Sequence, residues 1–224
     1  MKKTARVIYI ILLCAALLVT VPEFIRTLVY VGGHIKYYLY FLGGGAIYAV
    51  IVVISKTCGK LPVGRYLNNV LDLEHRQARH HEDIHEIAIH FMLHPVESYN
   101  ASRRGGEVSY RGNRNMFISL SPYCFPFFPY FFLLIQLMVS PKYPYYALLP
   151  GFLFFFFLHA VYMQLRPHQK DLTHYGYLAS YLFIANFLMI NTSIILYAVK
   201  MNIWKGLLFY FEDIWGLIRS VLSF

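Results

Sequence analysis

The chain has 224 residues, 58% of them hydrophobic and only 14% charged, with 20 Tyr, 19 Phe, three Cys and a formal net charge of +9. Soluble domains carry roughly 45–50% apolar and about 25% charged residues, so disorder, a disulfide scaffold and a soluble basic face for nucleic acid are excluded. What remains is a one-domain polytopic membrane protein with room for about five spanning helices of ~20 residues, in which the Lys/Arg excess reports loop orientation.

In chain order, the basic start MKKTAR leads into an apolar run within residues 7–31. No small-residue cleavage site follows it; the run meets Pro22 and Glu23, and Leu13 spoils a lipobox at Cys14. It is expected to be a retained first span with a cytoplasmic N-terminus. A second span covers residues 37–54, with Gly43, Gly44 and Gly45 at its middle inviting close approach of another helix. After a basic loop (56–71), a polar helix is predicted over 72–93, with His75, His80, His81, His85 and His90 and with His94 just beyond.

Residues 96–120 alternate polar and apolar around Gly105–Gly106, which predicts a β-hairpin turning at the glycine pair. Two aromatic spans follow (123–139 and 145–165), joined by SPKYP; a polar loop, RPHQKDLTHYG, leads to a last span at 177–199. The tail, 202–224, mixes apolar residues with Lys205, Glu212, Asp213 and Arg219, as an interfacial helix does. Cys14, Cys58 and Cys124 read as packing residues, His159 as a satisfied core histidine, and Asn186 and Asn191 as bonds between helices.

Charge places the polar helix. If 72–93 crossed the membrane, the basic loops at 56–65 and 103–114 would fall on opposite sides, against the positive-inside bias. A segment that dips in without crossing keeps both loops, and 166–170, cytoplasmic.

That helix carries the pentad His81-Glu82-Asp83-Ile84-His85. Two His at i and i+4 share one helical face and can reach a single ion, with the Glu left to handle a water proton. Zinc suits this chemistry. With 10 His in the chain, such a pentad arises by chance about once in seventy chains. A His-rich face that loosely chelates divalent ions is the bland alternative.

The pentad, the hairpin SRRGGEVSYRG and the following apolar helices together resemble the site-2 protease family of membrane zinc metallopeptidases. The stretch GGEVSYRGNRNMFISLSPYCFPFF is especially similar to a compact bacterial branch, in which a Gly-Gly hairpin and a Pro-Tyr-aromatic-Pro segment follow the motif. The resemblance covers about residues 70–180. It implies a core of about three helices holding Zn2+, membrane-spanning or membrane-proximal peptide substrates, and Glu82 as general acid/base with His81 and His85 as ligands. The family's third ligand is a later Asp. Asp171 is the only acidic residue between Glu107 and Glu212, although Lys170-Asp171-Leu172 replaces the usual Leu-Asp-Gly and His168 or His174 is an alternative ligand. A second departure is Glu86, a carboxylate where a small residue is usual.

The expectation is therefore an all-α integral membrane protein: about five membrane helices, a re-entrant or membrane-dipping HExxH helix, a short β-hairpin and a C-terminal interfacial helix. It forms a single domain, 1–224, with N-terminal spans (1–70), a metallopeptidase-like core (71–180) and a last span with interfacial tail (181–224). The expected setting is the bacterial cytoplasmic membrane with the site facing inward, and the expected partners are the lipid bilayer and a peptide substrate, without nucleic acid. The other readings are a divalent-metal transporter or sensor and an inactive His-rich scaffold.

Overall fold

A computed structural model of the chain describes residues 3–57, 66, 72–102, 105–112, 115–139, 144–165 and 169–222. They form α1 (Lys3–Gly33), α2 (Ile35–Thr57), α3 (Leu73–Phe91), β1 (Val96–Ser102), β2 (Gly105–Tyr110), α4 (Met116–Cys124) and α5 (Phe127–Val139). A 3-10 turn (Pro144–Ala147), α6 (Leu148–Gln164), α7 (Lys170–Tyr175), α8 (Tyr177–Met201) and α9 (Ile203–Leu222) complete the order. Helices α1, α2, α8, and α6 with its 3-10 turn are each long and apolar enough to cross a membrane; α4 and α5 make a fifth span if taken as one bent pair. The polar helix α3 is not among them.

Small residues set the closest packing. A Cβ on Gly44 of α2 would overlap the Leu148 carbonyl, and one on Gly151 of α6 would overlap the Phe41 carbonyl, so the two backbones touch. Neither carbonyl can swing aside as a side chain could. Gly44→Ala is therefore expected to lose roughly 1–3 kcal/mol of stability, read as a lower melting temperature in detergent. Gly43→Ala is the control, because its added carbon would meet only a Leu148 methyl at 3.4 Å; equal melting of the two variants would contradict the close approach.

Buried amides tie the apolar helices together, as expected of Asn186 and Asn191. Thr20 Oγ1 donates to Asn186 Oδ1 (2.8 Å), whose Nδ2 donates to Leu13 O (3.2 Å). Tyr130 Oη donates to Asn191 Oδ1 (2.6 Å), whose Nδ2 donates to Cys124 O (3.0 Å). His159 is satisfied too: Tyr48 Oη (2.7 Å) and Gln77 Nε2 (2.9 Å) both bond its Nδ1, which links α2, α6 and α3. Gln164 Nε2 adds a bond to Gln77 O (3.0 Å). These bonds seat the N-terminal half of the polar helix against the long apolar helices α2 and α6.

Two expectations about the middle of the chain need correction. The hairpin is antiparallel as predicted, but it ends at Tyr110, and residues from Met116 on are helical. Asn115 explains the switch: its side chain accepts from Ile118 N (2.8 Å), an N-cap that starts a helix where alternation suggested a strand. Gly105 and Gly106 are not the turn either. They open β2, paired with Ser102 and Ala101, and the intervening Arg103 and Arg104 lie outside the described residues. Most of the 56–71 loop, Cys58 and most of SPKYP also lie outside them.

The α4–α5 break bends the chain by 69°. Pro126 lacks an N–H and forces Phe125 out of the helical region, to φ −106° and ψ 103°. Another corner is made by Gly176, whose φ of +90° suits glycine and turns short α7 into α8. The Ser180 hydroxyl then donates to Leu172 O (3.0 Å), fixing α7 on the end of α8. In the tail, α9 packs on α8 at Gly206 and leaves Trp204, Leu208, Phe211 and Trp215 exposed along one side.

Candidate metal centre

The pentad lies on α3, and the i, i+4 spacing puts the rings of His81 and His85 edge to face with centroids 4.8 Å apart. The α7 corner brings Asp171 to them. Asp171 Oδ2 is 3.6 Å from His85 Nε2 and 3.9 Å from His81 Nε2, and one ligand atom from each of the three residues falls within 4.8 Å of the others. Among the described residues this is the one group of His, Cys, Asp or Glu that could hold a metal ion.

The geometry fits a first-row cation. Three donors at about 2.0–2.2 Å on a tetrahedral ion lie roughly 3.3–3.6 Å apart; the two carboxylate–imidazole contacts approach that spacing, and the whole set, within 4.8 Å, needs only a small contraction to reach it. The donors are imidazole nitrogen and carboxylate oxygen without thiolate, a set that suits zinc and leaves one coordination position open.

The surroundings prepare each donor. His85 Nδ1 donates to Ile118 O of α4 (2.9 Å), which fixes its tautomer and turns the Nε2 lone pair toward Asp171. Burial pushes His81 down to about 4, with Asp171 opposing, so its imidazole is neutral at pH 7 and free to ligate. Burial raises the Asp171 carboxyl, but bonding to His81 and then His85 outweighs it and holds the group well below the usual carboxylate range.

Glu82, buried beside them, is raised to about 7; burial is the main cause, His85 opposes it, and the nearby charges of Asp171, Glu107 and Asp83 add to it. That value suits a general base. Asp83 has a different task, accepting a bond from Tyr99 Oη (2.5 Å) that clips the hairpin to α3.

The remaining candidates among the described residues fall away from this point. Glu86 faces outward, 3.8 Å from His90 one turn on, so the extra carboxylate does not crowd the ligands. His174 is exposed against the Tyr175 ring, and His168 lies outside the described residues. His94 stacks on Tyr110 at the hairpin. Two contributions were not read from the sequence, both from α4: the Ile118 carbonyl and Tyr123, whose ring meets that of His81 edge-on at 5.1 Å. The one available signal was the Pro-Tyr-aromatic-Pro segment itself.

His80 is a neighbour with a measurable signature. It is 5% exposed, stacks on Phe128 (4.8 Å), and is pushed down to about 4 by burial against an opposing pull from Asp83. Its folded value lies below the ~6.5 of an unfolded histidine. The unfolded chain therefore binds more protons between those values, and stability falls as pH drops. For metal-free protein the share of this loss carried by His80 from pH 7 to pH 5 is about 2 kcal/mol. His80→Leu should remove that share, so the melting temperature of the variant should rise relative to wild type as pH falls toward 5; parallel curves would contradict the assignment.

Comparison of the chain with protein-family models, with curated proteins and with solved structures finds no match.

Proposed function

We propose that this chain is an integral-membrane zinc endopeptidase, resembling the site-2 protease family, that hydrolyses membrane-spanning or membrane-proximal peptides. The observation that carries the reading is the convergence of His81, His85 and Asp171 with Glu82 buried beside them. A scaffold that merely collects ions needs no such base next to its ligands. Zinc bound here would polarise the scissile carbonyl and lower the pKa of the attacking water toward ~7.

The chain's own residues do the rest. Asp171 contributes the negative charge of the ligand set, and the Ile118 carbonyl keeps His85 in its ligating tautomer. Glu82 accepts the proton of the attacking water and passes it to the leaving amine nitrogen. The four or five apolar spans suit a bilayer, the exposed Trp204, Leu208, Phe211 and Trp215 suit an interfacial α9, and the positive-inside bias supports a site that faces the cytoplasm.

The test is purified protein in lipid vesicles with a panel of single-span peptides. Cleavage should stop when a chelator strips the metal and return with one equivalent of zinc per chain. Cleavage that survives complete metal removal would overturn the reading.

A further inference from the structure

Tyr123 is fully buried, with 0% exposure, and its ring lies against His81. No acceptor for its O–H proton stands at hydrogen-bonding geometry among the described residues; the Gln169 amide is its polar neighbour, on the donor side, and the carboxylates of Asp171 and Glu82 act on it through their charge. A buried polar group without a partner is destabilising and uncommon. Asp171 turns its Oδ2 to the two imidazoles, and neither of its oxygens stands at hydrogen-bonding geometry to this hydroxyl. Other nearby donors are committed: Ser121 Oγ and His85 Nδ1 both bond Ile118 O, at 3.0 and 2.9 Å. An O–H donor is thus left unused at the edge of the ligand group, set for an acceptor that the described residues do not supply.

Peptide hydrolysis creates such an acceptor. When the water oxygen adds to the carbonyl carbon, the π electron pair moves onto the carbonyl oxygen and charge develops there. We infer that the Tyr123 hydroxyl donates a hydrogen bond to that oxygen and stabilises it, making Tyr123 a second catalytic residue beside Glu82. The Tyr123 proton stays on its own oxygen throughout. Glu82 receives the water proton and gives it to the amine nitrogen as the electron pair on oxygen re-forms C=O and the C–N bond breaks; the carboxylic acid so formed then passes its proton to the amine, leaving a carboxylate and an ammonium. In a site closed to water a fixed donor of this kind is worth more than it would be in solvent. The inference rests on the peptidase reading above.

The test is Tyr123→Phe in the full-length, zinc-loaded protein with two probes: an apolar tripeptide phosphinate, which mimics the tetrahedral anion, and the same tripeptide with its ordinary amide. Amide binding is measured in a Glu82→Gln background so that the probe is not cleaved. The phosphinate should bind roughly 10–100-fold more weakly to Tyr123→Phe, while the amide should bind within about threefold of its unsubstituted reference. Zinc content should stay at the wild-type level, and the melting temperature should change little, because the buried hydroxyl removed has no acceptor for its proton.

Unchanged phosphinate affinity, an equal loss on both probes, or loss of zinc from the variant would each overturn the inference. A wild type that holds no zinc removes the peptidase reading and this inference with it. A zinc-loaded, active wild type with an indifferent Tyr123→Phe removes this inference alone.

Discussion

Glu82→Gln is expected to keep its zinc and lose on the order of 10³-fold in kcat. The amide is nearly isosteric with the carboxylate, so the buried wall of the site stays filled, but it cannot accept the proton of the attacking water. Glu82 also stands outside the group formed by His81, His85 and Asp171, so metal content should not change. Because a base must be deprotonated to act, wild-type kcat/KM should fall as pH drops through the Glu82 pKa, which burial raises to about 7 and a bound cation lowers. That acidic limb should be missing from the residual activity of the variant. Parallel measurements of zinc content and pH–rate profile check both halves. A variant that loses metal and activity together would make Glu82 a ligand.

Asp171→Ala should have the converse signature, with zinc affinity falling more than roughly 100-fold and cleavage lost with it. Removing the carboxylate leaves two neutral imidazoles facing a cation without a compensating charge. Packing should persist, because Leu172, the next residue, is fully buried and α7 stays bonded to α8 through Ser180. Asp171→Glu keeps the charge but overreaches by one methylene and should fall between. Zinc titration against a competing chelator, with helix content followed by circular dichroism, reads affinity and fold separately. Wild-type affinity in Asp171→Ala would pass the third position to another residue.

The parts of this site legible in the sequence are those that depend on local spacing or on scarcity. The pentad needs only helical periodicity to put His81 and His85 on one face. Asp171 stood out because no other carboxylate lies between Glu107 and Glu212. What brings Asp171 home, the positive-φ corner at Gly176 with the Ser180 bond, concerns a residue type that sequence cannot tell from any other loop glycine. The Ile118 carbonyl was invisible for a stronger reason: every residue has one, and only the tertiary fold selects which faces His85.

The middle of the chain misled for a related reason. Residues 96–120 alternate, but capping by Asn115 outweighs alternation after Tyr110, and the result is the short helix that carries Ile118 and Tyr123. The triple glycine of α2 was readable as a contact point, while its partner Gly151 in a Phe-rich span was not, because close approach is a property of the pair.

X-ray absorption at the zinc K-edge, on wild-type protein purified without chelator beside His81→Ala/His85→Ala, reads the metal centre itself. Wild type should hold about one zinc per chain, bound by two imidazole nitrogens and by oxygen at about 2.0–2.2 Å with no sulfur, and the double variant none. A sulfur shell near 2.3 Å, or zinc retained unchanged in the double variant, would contradict this ligand set.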